Sequence, residues 1–254
     1  MIPKKIHYCW LSEDPIPSHL KGYIDAWKVV LPDYEFKLWN KSEFNINSVE
    51  WVKEAYSMRK WAFAADYIRV YALYTEGGFY LDSDVILNKS LDDYLDYGFV
   101  SSIERVPSKN LDCAIDENFR RKSGVEYVRG LAVQAAIIGA EKGHVFLKKL
   151  LDYYESNHFI KEDDSLNNVP CPNIYSKFLE DYGFLYKDEE QNLQKKVKIF
   201  DSSVFASYQT CKFGSAAIHM CEGSWTNKKD NSFVGMLKKS LFIRKIYNQI
   251  RCWF

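Results

Sequence analysis

The stretch from Arg59 to Asp84 constrains this chain more than any other. Between Arg59 and Thr75, Phe63, Tyr67, Val70 and Tyr74 recur at helical spacing, which predicts a helix. Gly77-Gly78 follows, where a helix C-terminus commonly needs a left-handed residue. Phe79–Leu81 is then a short apolar run that reads as a buried strand and ends on Asp82-Ser83-Asp84. A helix passing through a tight glycine turn into a buried strand is one half of an α/β unit. In open α/β sheets ligands sit at the carboxyl ends of strands, so Asp82 and Asp84 fall where chemistry is expected.

The remaining pattern agrees with that class. Lys5–Trp10, Glu35–Trp39, Val85–Leu87, Phe99–Ile103, Val197–Phe200 and Ala217–Met220 read as extended. Leu20–Val30 and Gly143–Ser156 have helical apolar spacing, Ala132–Ala140 is apolar but ambiguous, and Glu162–Pro172 reads as a loop. Strands alternating with helices predict a mostly parallel central sheet. At 254 residues the chain is long enough for one large domain, here placed at 1–232. From Phe233 to Phe254 the character changes. Lys238, Lys239, Arg244, Lys245 and Arg251 appear without an acid, and Ile243, Ile246, Tyr247, Ile250, Trp253 and Phe254 recur at helical spacing. This predicts a basic amphipathic C-terminal helix, suited either to a membrane surface or to packing with a solvated basic face.

Lysine plus arginine equals aspartate plus glutamate at 34 each, which argues against a chain built to coat nucleic acid. No apolar run is long enough for a spanning helix, and the start lacks the pattern of a signal peptide. The six cysteines form no C-x-x-C pair. Together these predict a cytoplasmic protein with reduced thiols, peripheral at the inner face of a membrane if the tail binds lipid.

The acid pair carries the chemistry. Two carboxylates one residue apart, just past a buried strand, can converge on a hard divalent cation such as Mn²⁺ or Mg²⁺, which prefers oxygen ligands and bridges phosphates. Asp66 and Arg69, three apart, share a face of an otherwise apolar helix, which predicts a partly buried pair able to hold sugar hydroxyls or phosphate. His219 follows an apolar strand and, with Ser224 and Trp225 just beyond, is a candidate to complete a metal and diphosphate site.

Taken together, Phe63-Ala64-Ala65-Asp66-Tyr67-Ile68-Arg69, Gly77-Gly78 and Tyr80-Leu81-Asp82-Ser83-Asp84 resemble the sugar-binding DXD region of glycosyltransferase family 32. That family includes mannosyltransferases and bacterial capsule or polysaccharide glycosyltransferases, and is related to large clostridial glucosylating toxins. Ile2–Trp10, Trp39-Asn40, Gly139–His144 and His219…Ser224-Trp225 extend the resemblance over most of residues 1–226. The resemblance implies a GT-A-like, Rossmann-like nucleotide-sugar-binding domain and a retaining reaction. It implies that Trp10 stacks on the base, that Asn40 lies near the nucleotide, and that Asp66 and Arg69 hold the donor sugar. Tyr80 and Ser83 join the donor site as parts of the motif. Asp82 contacts ribose, sugar or metal, Asp84 binds the metal directly, His219 is a further ligand, and Ser224 and Trp225 lie near the diphosphate. At Gln134-Ala135-Ala136 the chain departs from the family's pattern, which leads one to expect an Asn or similar polar residue; Gln134 is carried into the donor-binding set.

The implied function is transfer of a hexose from a nucleotide sugar, with UDP-galactose or UDP-glucose ahead of GDP-mannose. The acceptor is expected to be a glycan, lipid-linked, in capsule, polysaccharide or surface-glycan assembly. Two readings from other classes stay open: a phosphohydrolase of the strand-Asp-x-Asp type, and a sugar-binding protein without catalysis. Against the first, Ile86 stands where such phosphatases place Thr or Val, and the motif lies far from the chain start.

Overall fold

A computed structural model describes residues 1–107 and 109–223. Ser224, Trp225 and the predicted tail from Phe233 to Phe254 therefore lie outside the described residues.

In chain order the elements are β1 (Lys5–Cys9), α1 (Ser18–Val30), β2 (Glu35–Trp39), α2 (Glu50–Ser57), α3 (Trp61–Glu76), β3 (Gly78–Leu81), β4 (Val85–Leu87) and β5 (Phe99–Arg105). Then come β6 (Leu131–Val133), β7 (Ile137–Ala140), α4 (Val145–Glu155), α5 (Cys171–Leu179), β8 (Gln191–Leu193), β9 (Val197–Phe200), β10 (Phe205–Ser207) and β11 (Ala217–His219). The main sheet has the order β2-β1-β3-β7-β5-β9-β8, with β6 paired to β5. A second sheet has the order β10-β11-β4.

The α/β class and the placement of the acid pair, just past a central strand, are as expected. The mostly parallel sheet is not. β2-β1-β3 and β5-β9 are parallel, whereas β7 runs antiparallel to both β3 and β5, and β8 runs antiparallel to β9. A parallel neighbour needs a crossover, usually a helix. Among the described residues no helix separates β5 from β7, and the chain doubles back through β6 and enters the sheet reversed. The ambiguous run Ala132–Ala140 is two strands broken at Gln134–Ala136.

Alternation along the central strands assigns the two faces. Tyr80, Phe99, Ile103 and Ile138 pack in the core with α2, α3, α4 and α5. Phe79, Leu81, Val100 and Ile137 pack in the other core with α1, β4 and β10. The helix α3 is buried along most of its length, from Ala64 through Leu73, which explains its weak segregation of apolar from polar residues.

Two local features seat β3. Gly77 caps α3 at φ 70° and its carbonyl bonds His7 Nε2 at 2.8 Å. Gly78 adopts φ 113°, and a Cβ there would sit 2.5 Å from the Lys5 carbonyl oxygen. Only glycine tolerates both the torsion and the contact. That close approach lets β3 pair with β1 in the register Ile6↔Phe79 and His7↔Tyr80, which fixes where Asp82 emerges.

Candidate active site

The carboxyl end of β3 is held by the break between β6 and β7. Asp82 N–H donates to the Ala136 carbonyl at 2.9 Å, and Val85 N–H returns to the Asp82 carbonyl at 3.0 Å. This turn points both carboxylates the same way. His219, distant in sequence, arrives because β11 pairs antiparallel with β4 in the register His219↔Val85. Its Nε2 lies 3.3 Å from Asp84 Oδ1 and 4.0 Å from Asp82 Oδ2. One ligand atom from each of Asp82, Asp84 and His219 falls within 4.8 Å of the others.

Asp84 is the better anchored acid. Its Oδ2 accepts the Glu222 N–H at 2.8 Å, and its carbonyl accepts from Met220 N–H at 3.1 Å. Burial alone would raise its carboxyl pKa. The neighbouring His219 and the Glu222 N–H outweigh that and hold it below the usual range. His219 is shifted up: burial opposes its charge, but Asp84 and Cys221 more than compensate. Cys221 Sγ lies 3.4 Å from Nδ1, leaving Nε2 to face the carboxylates. Two carboxylates and an imidazole converging on one point fit a divalent cation of the Mn²⁺ or Mg²⁺ type.

Arg69 joins that cluster to α3. Its Nη2 reaches Asp66 Oδ1 at 3.1 Å and Asp82 Oδ1 at 3.5 Å. Its Nη1 donates to the Ala135 carbonyl at 2.7 Å, and its guanidinium lies 4.7 Å from the centre of the Tyr80 ring. The pair expected from the three-residue spacing is thus present and buried, with side-chain exposures of 6% and 8%. Burial pushes the Asp66 carboxyl up, although Arg69 and the neighbouring Cys171 thiol oppose it.

These groups border a cavity of about 520 Å³, a size suited to a small organic ligand. Its walls also include Cys9, Trp10, Trp61, Phe63, Tyr80, Ser83, Ala135, Ala136 and Cys171. Trp10 keeps its ring at the rim while its indole N–H is bound to the Asp14 carbonyl at 2.8 Å. Two of the expected donor residues are placed elsewhere. Asn40 caps a turn, accepting N–H bonds from Ser42 at 2.8 Å and Glu43 at 3.2 Å, and is absent from the cavity wall. Gln134 is buried, and its amide donates to the Phe205 carbonyl. It ties β10 to the main sheet rather than facing the cavity.

Glu104, Cys171 and Cys221 line the cavity without having been singled out. For Glu104 a signal existed: the polar pair Ser102 and Glu104 stands on one face at the carboxyl end of β5. For Cys171 there was none, since the preceding stretch reads as a loop.

Residues 17–100 match the family model described as a glycosyltransferase sugar-binding region containing a DXD motif. The chain is 36% identical over 100 residues to inositol phosphoceramide mannosyltransferase 3 of Schizosaccharomyces pombe, covering 38% of this chain and 28% of that one. It is 25% identical over 173 residues to an uncharacterized glycosyltransferase of Acanthamoeba polyphaga mimivirus, covering 66% and 59%. It therefore spans less than two thirds of either relative. Among solved structures, the PaToxG glycosyltransferase superposes with a TM-score of 0.49 at 19% identity, covering 71% of this chain and 69% of that one.

Proposed function

We propose that this chain, which carries the sugar-binding region of the DXD glycosyltransferases, transfers a hexose from a nucleotide sugar to a glycan acceptor with retention of anomeric configuration. The observation that carries this reading is the convergence of Asp82, Asp84 and His219 beside the buried Asp66–Arg69 pair on one cavity. Asp82, Asp84 and His219 would hold a divalent cation, which supplies counter-charge to the donor diphosphate. Arg69 holds Asp66 and Asp82 in place and keeps an Nη1 proton for a sugar hydroxyl or phosphate oxygen. Asp66 accepts from sugar hydroxyls. Trp10 offers its ring face to the base, and Ser83 lies on the wall between base and sugar.

In the reaction, the acceptor hydroxyl attacks the anomeric carbon from the face the phosphate leaves. The bond from that carbon to the phosphate oxygen breaks, and the departing phosphate takes the hydroxyl proton. No protein base is required. The donor is assigned to UDP-galactose or UDP-glucose. The name of the fission-yeast relative favours a second reading, a mannosyl donor such as GDP-mannose and a lipid-linked acceptor. Residues 1–232 are assigned to catalysis and 233–254 to membrane contact on the cytoplasmic side, in surface-glycan or capsule assembly. Among the described residues no helix is long and apolar enough to cross a membrane.

The test is nucleotide release from a panel of UDP- and GDP-sugars with Mn²⁺, beside Asp84→Ala and EDTA controls. Turnover of one donor that disappears in both controls is the expected result and names the sugar. Release of phosphate from simple phosphomonoesters, with no turnover of any nucleotide sugar, would instead support the phosphohydrolase. An inverted product by NMR would remove the retaining mechanism. Equal liposome flotation of the full chain and a 1–232 truncation would remove the membrane role.

A further inference from the structure

Glu104 is a carboxyl that the site described above does not use. It lies on β5 opposite Ala132 of β6 and lines the cavity. Among the described residues its carboxyl forms no hydrogen bond or ion pair. The polar groups around it do not need it: Arg69 is taken up by Asp66, Asp82 and Ala135, and His219 faces Asp84. Burial pushes its carboxyl pKa up, His219 pulls it down, and Asp82 adds to the rise.

Its place in the sheet limits what it can meet. The order β1-β3-β7-β5 puts Trp10, just past β1, on one side of Asp82 and Glu104 on the other. Strand alternation puts Glu104 on the same face as Ser102, whose Oγ accepts the Phe205 N–H at 3.0 Å from β10. β11 neighbours β10, so Glu104 looks along the cavity toward His219 from the side away from the base-stacking tryptophan. A donor laid with its base on Trp10 and its diphosphate at Asp82 and Asp84 presents its sugar end in this direction. Asp66 and Arg69 already serve the donor sugar from α3. The ligand left for a carboxyl on the β5 wall is the molecule that approaches the anomeric carbon from outside.

We propose that Glu104 is an acceptor-binding residue, its carboxylate accepting a hydrogen bond from a hydroxyl of the incoming sugar. This rests on the glycosyltransferase reading. A carboxylate suits that ligand because vicinal hydroxyls donate to its two oxygens, and a carboxyl without a partner among the described residues is free to accept them.

The experiment separates donor from acceptor. For the unmodified chain, Glu104→Gln and Glu104→Ala, metal-dependent nucleotide release is measured without acceptor, and again with methyl α- and β-hexosides as acceptor probes, with product detected directly. Both variants are expected to keep acceptor-free release within about twofold and to lose transfer to the hexoside at least tenfold, through a raised KM for the probe. Their Tm should stay equal or rise. Unchanged transfer would overturn the assignment. So would a parallel fall of release and transfer, which places Glu104 on the donor or in the fold. An unmodified chain that hydrolyses donor but responds to no hexoside also counts against it. Absence of any donor hydrolysis by the unmodified chain removes the glycosyltransferase reading itself, and this inference with it.

Discussion

On the α3 side of the cavity the charges are partnered before any ligand arrives. Arg69 spans Asp66 and Asp82, rests on Tyr80 and bonds the Ala135 carbonyl. On the β5 side the carboxyl of Glu104 meets no such partner among the described residues. The first wall is preorganised: Arg69 holds Asp66 and Asp82 toward one another. The second is left open. Preorganised electrostatics suit the end of the site where charge develops on a leaving phosphate. An open carboxyl suits a ligand that must enter, be recognised and leave with product.

Breaking the first wall should have the largest effect on stability. Arg69→Ala leaves two carboxylates without their cation, one of them buried, and should cost about 3–5 kcal/mol of unfolding free energy. Urea titration with an unchanged m-value would check it. The double variant Arg69→Leu with Asp66→Leu should recover much of that loss while abolishing donor turnover, which separates what the pair does for the fold from what it does for the reaction.

The support beneath the wall comes next. Gly78→Ala must place a Cβ 2.5 Å from the Lys5 carbonyl at φ 113°. Strain at a position of this kind costs about 1–3 kcal/mol. The seating of β3 on β1 is what it disturbs, so donor turnover should fall along with Tm. An alanine at Gly124, whose Cβ would meet nothing within 4 Å, is the control for torsion without contact.

Much of the preorganised wall was legible in the sequence, whereas the open wall offered only the polar pair Ser102 and Glu104 on one strand face. The helical spacing of Phe63, Tyr67, Val70 and Tyr74, the Gly-Gly stop and the apolar strand specify local structure by local chemistry. Asp66 and Arg69 inherit a shared face from that helix, and β11 supplies His219 as a strand-terminal residue. The helix α2 is only eight residues long, and α5 begins after Pro170 with Pro172 at its start, where proline opens a helix as readily as it punctuates a loop. The three-residue strands β8 and β10 have no pattern of their own and exist through their neighbours. Asn40 and Gln134 had the right chemistry for a ligand but are used up by a turn and by a strand contact. Side-chain commitments of that sort depend on tertiary neighbours that spacing does not reveal.

A pH measurement sharpens the comparison on the supporting strand. His7 is buried, its Nε2 bonded to the Gly77 carbonyl and its Nδ1 accepting from Trp39 Nε1 at 3.0 Å. Burial lowers its pKa; the Gly77 bond and Glu76 oppose this, while Lys5 and Lys37 add to it. The folded chain therefore resists protonation that the unfolded chain accepts near the ordinary value of about 6.5. The stability His7 contributes is complete above that pH and is lost as pH falls below it, at up to about 1.4 kcal/mol per pH unit. His144, also shifted down by burial, acts in the same direction. In urea melts from pH 7.5 to 5, His7→Asn should be less stable at the top of the range and show a shallower decline than the unmodified chain. Parallel curves would mean that the titration lies elsewhere.

The smallest effect is the most discriminating. At Glu104 the balance differs from that at Asp66, because no cation is stranded when the carboxylate is removed. Glu104→Gln replaces a group whose charge is disfavoured by its surroundings with a neutral one of the same shape. Its stability should lie within about 0.5 kcal/mol of the unmodified chain, as for substitutions that break no network. Asp66→Asn should fall well outside that range, since it takes a charge away from buried Arg69. Equal destabilisation by the two variants would mean that Glu104 also belongs to a partnered network, and the distinction between a preorganised wall and an open one would fail.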